Sequence, residues 1–82
     1  MKLTITNDPT ADHDITINVK ITSQLIPILE NRWNWEYGPM VINTEDGEIE
    51  VENAAELVAN LEKYGKVDID FEDCYATATL EK

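Results

Sequence analysis

The chain has 82 residues, one cysteine and a formal net charge of −11, with 17 acidic residues against six Lys and Arg. That length suits one domain and is too short for two. Hydrophobic residues make up 43% of the chain, enough to argue against disorder despite the charge. A single cysteine, Cys74, excludes an intrachain disulfide, and a field this negative repels nucleic acid and anionic membranes. Met1 is followed by Lys2-Leu3-Thr4 without an apolar run, so the expected compartment is the cytoplasm.

Lys2 to Thr6 alternates with Leu3 and Ile5 on one face, and Asn7-Asp8-Pro9-Thr10 carries turn chemistry. Asp14 to Thr22 alternates again, with Ile15, Ile17, Val19 and Ile21 inward, so the first two strands form a hairpin. A short helix follows, capped by Thr22 or Ser23, with Leu25, Ile28, Leu29 and Trp33 at helical spacing and Pro27 in its first turn. The aromatics of Trp33 to Tyr37 alternate like a strand, and that stretch is read as a loop or the helix end, with Gly38-Pro39 stopping whatever remains.

Met40-Val41-Ile42 and Glu48 to Glu52 flank a turn with Asp46-Gly47 at its tip, a second hairpin. Asn53 and Glu56 have capping-box spacing, Leu57, Val58, Leu61 and Tyr64 supply a helical stripe, and Gly65 sits where the helix should end. Val67, Ile69 and Phe71 alternate in a fifth strand. Cys74, Ala76, Ala78 and Leu80 do so in a sixth. The predicted class is α+β: a single domain over residues 1–82 in the order ββ-α-ββ-α-ββ, with a mainly antiparallel sheet and both helices on one face.

Little in the chain points to catalysis. His13, the one histidine, lies in a turn between Asp12 and Asp14, and Cys74 has Glu72 and Asp73 beside it with no basic residue near to activate it. Aligning Gly47 with the central glycine of a calcium loop puts Ile42, Thr44 and Asn53 where carboxylates are required, so that motif fails. Asp68, Asp70, Glu72 and Asp73 offer at most weak divalent-ion chemistry. We expect no enzyme, no cofactor and no metal site.

The acids are unevenly placed. Only Asp8, Asp12, Asp14 and Glu30 precede residue 36. Glu45, Asp46, Glu48, Glu50 and Glu52 crowd the second hairpin, and Asp68, Asp70, Glu72 and Asp73 crowd the fifth strand and its end. In both segments every second residue is acidic. Neighbours two apart on a strand are about 6.7 Å apart, near two axial steps of a DNA strand at about 3.4 Å each. If the two strands are adjacent, their rows stand about 4.8 Å apart. The ordinary alternative is the solvated face of two amphipathic strands. Trp33, Trp35 and Tyr37 gather beside Arg32, residue types that dominate interface hot spots, and one Trp is expected in the core with the other exposed.

The expected function is inhibition by binding a basic protein, a nuclease or other nucleic-acid-binding protein, whose groove the acidic rows occupy. Small acidic phage and mobile-element proteins of the anti-CRISPR and anti-restriction kind behave this way; the analogy is one of size, charge and pattern. The alternative is an immunity protein or antitoxin that neutralises a basic toxin, or a structural or assembly module. Neither direct nucleic-acid binding nor membrane attachment is expected, and the oligomeric state is not legible.

Overall fold

The computed structural model describes residues 1–36 and 38–82. Its elements run β1 (Lys2–Thr6), β2 (Ile15–Asn18), a 3₁₀ turn (Thr22–Gln24), α1 (Leu25–Arg32), β3 (Met40–Thr44), β4 (Gly47–Val51), α2 (Ala54–Tyr64), β5 (Lys66–Asp70) and β6 (Tyr75–Glu81). The strands form one six-stranded antiparallel sheet in the order β2-β1-β6-β5-β3-β4. The β5–β6 hairpin is central. On either side a hairpin contributes its first strand to the interior and its second to an edge, then leads into a helix.

Alternation decides which sheet face is dry. Leu3, Ile5, Ile42, Val51, Val67, Ile69, Ala76, Ala78 and Leu80 are buried in one cluster with Leu25 and Leu29 of α1 and Ala54, Leu57, Val58 and Leu61 of α2. No helix is long and apolar enough to cross a membrane among the described residues. The other sheet face carries no helix and is the surface that matters below.

The second helix follows its local signals. Asn53 is extended and its side chain accepts from the Glu56 amide at 2.9 Å, while Glu56 Oε2 accepts from the Glu52 amide at 2.6 Å. Gly65 ends the helix with φ +78°, in the left-handed region open to glycine at little cost.

The first helix departs from expectation at its start. Neither Thr22 nor Ser23 caps it. Gln24 Oε1 instead accepts from the Lys20 and Ile21 amides, drawing the chain into the 3₁₀ turn. Strand β2 therefore stops at Asn18, and Ile21 is 57% exposed rather than inward. At the far end the helix finishes at Arg32, well before Gly38-Pro39, because Trp33 turns extended (φ −118°, ψ 155°) to seat its indole in the core. Ile28 is partly exposed, so Leu25 and Leu29 carry the buried stripe.

The second hairpin is tighter than expected: Thr44 pairs with Gly47, leaving Glu45-Asp46 as the loop. The central hairpin is looser. Strand β5 ends at Asp70, Phe71 and Cys74 close the turn through a 2.9 Å backbone hydrogen bond, and Glu72 sits at φ +71°. Cys74 is half-buried in that turn and not in a strand.

Candidate functional site

The register places the acidic residues. On β3, Ile42 is buried, so Val41 and Asn43 face the uncovered side. Val41 pairs with Glu50 on one side and Asp70 on the other; Asn43 pairs with Glu48 and Asp68. Glu48, Glu50, Asp68 and Asp70 thus share one face with Val41 and Asn43 between them. The condition for closely spaced rows, that the two acidic strands be adjacent, is not met. Strand β3 lies between β4 and β5, so the rows are about 10 Å apart and not 4.8 Å. The physical reason is that β5 leads straight into its central partner β6, leaving only its other edge for the hairpin, whose first strand docks there.

The rows are also shorter than the sequence pattern. Glu52 lies beyond β4, where its amide is tied to Glu56, and Glu72 lies in the left-handed turn. Asp73 shares that turn. Glu45 and Asp46 sit at the hairpin tip, where Asp46 accepts from the Tyr64 hydroxyl at 2.8 Å. Four carboxylates remain in the face itself.

These four differ in how far the fold uses them. Asp68 Oδ1 accepts from the Thr77 hydroxyl at 2.8 Å, and Asp70 Oδ1 accepts from the Glu72 amide at 2.7 Å. Glu48 and Glu50 are exposed, and their carboxylates make no hydrogen bond among the described residues. None of the four forms an ion pair among the described residues, where Lys2–Glu81 and Arg32–Asp8 are the pairs present. The same residues contain no group of three His, Cys, Asp or Glu arranged for a metal ion.

The tryptophans divide. Trp33 is 6% exposed and stacks edge-on against Phe71 (5.9 Å) and Trp35 (6.4 Å). Trp35 is half-buried, with its indole N–H donating to the Leu29 carbonyl at 3.1 Å. Tyr37 lies outside the described residues. Trp35 lines a groove of about 350 Å³ together with Met40, Asp70, Phe71 and Glu72.

Arg32 belongs to the scaffold and not to a free hot spot. Its Nε and Nη2 each lie 3.0 Å from Asp8 Oδ2. Trp33 Nε1 donates to the same oxygen at 3.3 Å, and the Thr10 amide and hydroxyl donate to Oδ1 at 2.8 and 2.7 Å. Burial works against the Asp8 charge, but the Thr10 hydrogen bonds and the Arg32 guanidinium outweigh it and hold this carboxyl below its ordinary value. Sequence reading took Asp8 for a turn residue only. Its one available signal was an acid in an Asn-Asp-Pro turn of a chain whose sole arginine needed a partner.

No protein-family model, curated protein or solved structure matches this chain.

Proposed function

We propose that this protein is a cytoplasmic inhibitor that acts by binding, without catalysis or cofactor, and occupies the nucleic-acid groove of a basic partner. The observation carrying the reading is the co-facial set Glu48, Glu50, Asp68 and Asp70, none of which forms an ion pair among the described residues, with Lys66 the one cation on that part of the face. Along each strand its carboxylates stand about 6.7 Å apart, close to the phosphate interval weighed above, and the two rows are separated by a neutral strip. A groove lined with Lys and Arg fits such a face, and the net charge of −11 steers the encounter. The biological class that suits this behaviour is phage or mobile-element counter-defence of the anti-CRISPR or anti-restriction kind.

The second reading, an immunity protein or antitoxin holding a basic toxin, draws support from Trp35, a partly exposed aromatic fixed by its own hydrogen bond. Titrating a panel of purified phage-defence nucleases and nuclease toxins with this protein, with and without DNA, tests both. Mimicry predicts that DNA competes and that Glu48→Gln, Glu50→Gln, Asp68→Asn and Asp70→Asn weaken binding step by step while flattening its salt dependence. A dedicated hot-spot interface predicts collapse at one or two positions. Normal, salt-dependent binding by the quadruple variant refutes mimicry.

A further inference from the structure

Trp35 occupies an unusual place on this surface. Its ring is held from two sides, by the indole hydrogen bond to Leu29 and by edge-on contact with Trp33, yet it remains partly exposed. On one side it shares the 350 Å³ groove with Met40 and Phe71, and Asp70 and Glu72 stand in the same wall. On the other it lines a depression of about 270 Å³ with Glu36, Pro39 and Glu52. The one cation in the groove wall, Arg32, is already neutralised by Asp8. Asp70 spends Oδ1 on the Glu72 amide, and its Oδ2 makes no hydrogen bond among the described residues.

We propose that this groove receives one arginine side chain of the basic partner, so this inference rests on the partner's being basic. The reasons are complementary shape and charge. A guanidinium is planar, weakly hydrated and stacks on aromatic faces, while its alkyl stem packs against apolar wall such as Met40 and Phe71. The fork of N–H donors then meets Asp70 and Glu72, where a carboxylate takes two parallel hydrogen bonds. Lysine supplies the charge but neither the plane nor the fork. Asp70 also belongs to the acidic face, so the groove continues that surface instead of forming a separate site. The second depression on the sheet, lined by Asn43, Glu45, Tyr64, Lys66 and Asp68, is a weaker receptor because Lys66 already stands in it.

The test is a ¹H–¹⁵N titration of the whole protein with N-acetyl-arginine methylamide, its citrulline counterpart and the lysine analogue. The expected result is a saturable shift of the Trp35 indole N–H and of the Asp70–Glu72 amides with arginine. The lysine response should be several-fold weaker, and citrulline should give none. The Asp70→Asn/Glu72→Gln variant, which keeps both side-chain shapes, should weaken arginine binding at least threefold; Trp35→Ala adds to this if it folds. Arginine shifts confined to Glu48 and Glu50, or an equal response to citrulline, overturn the groove while leaving mimicry standing. Conversely, arginine binding at Trp35, together with normal partner binding by a Glu48→Gln/Glu50→Gln/Asp68→Asn variant that spares Asp70, sustains the groove and removes mimicry.

Discussion

Two regions of this molecule handle carboxylates in opposite ways. Where the β1–β2 loop meets the end of α1, a single acid, Asp8, is buried and meets a guanidinium, an indole N–H, a hydroxyl and a backbone amide. On the uncovered face of β5, β3 and β4, four acids stand without an ion pair among the described residues, although Lys66 shares the face. The rest of that face supplies an internal control. There Thr4, Thr6, Thr16, Thr77 and Thr79 form a neutral surface on the same pleat, and Lys2 is paired with Glu81. A solvated sheet face therefore does not require acids. Asp8 holds the fold together, whereas the four acids of the second region repel one another, and only Asp68 and Asp70 are each tied into the fold by a side-chain hydrogen bond.

The largest expected effect breaks the first region. Asp8→Ala leaves Arg32 uncompensated and unties Trp33, and should cost about 3–5 kcal/mol in denaturant unfolding, the range for one partner lost from a buried pair. A loss below about 1 kcal/mol would mean the corner is ornamental. Its pH dependence has a definite sign. Because the folded carboxyl titrates below its unfolded value of about 3.9, its contribution is present above that value and is lost as pH falls through the folded one. The stability gap between the wild type and Asp8→Asn should accordingly narrow on acidification below about pH 4.

Neutralising the second region should do the reverse. Glu48→Gln with Glu50→Gln is expected to leave the melting temperature unchanged or raise it by about 2–4 °C, as relief of roughly 0.5 kcal/mol implies for a domain of this size. A drop of that size would show that these acids hold structure after all. Salt should act in the same direction on the whole surface. Raising NaCl to about 0.5 M shortens the Debye length to about 4 Å, and the melting temperature should rise; a fall would contradict a net-repulsive surface. Millimolar calcium should add nothing beyond its ionic strength.

The smallest effect sharpens the boundary between the regions, where the two tryptophans meet. With Trp33→Phe, the remaining Trp35 should be quenched by acrylamide, more by caesium and less by iodide, since Asp70, Glu72, Glu36 and Glu52 surround it. With Trp35→Phe, emission should be blue and nearly unquenchable. Equal caesium and iodide quenching would mean that the carboxylates do not set the field at the indole.

The sequence by itself determined whatever depends on near neighbours. Alternation in Leu3/Ile5, Ile49/Val51, Val67/Ile69 and Ala76/Ala78 assigned these strands their dry face, and hence put Glu48, Glu50, Asp68 and Asp70 on the wet one. Asn53, Glu56 and Gly65 delimited α2 because a cap reaches only three or four residues. Tertiary structure alone decided what depends on pairing at long range. Strand order is not encoded in periodicity, so β3 could enter between the acidic strands and double the spacing of their rows. Asp8 and Arg32 are 24 residues apart, and their bond exists only because α1 ends beside the first hairpin's loop. The same closure drew Trp33 inward against Phe71 and left Trp35 at the surface, since one aromatic filled the core position and its neighbour then had only the rim of the groove to occupy.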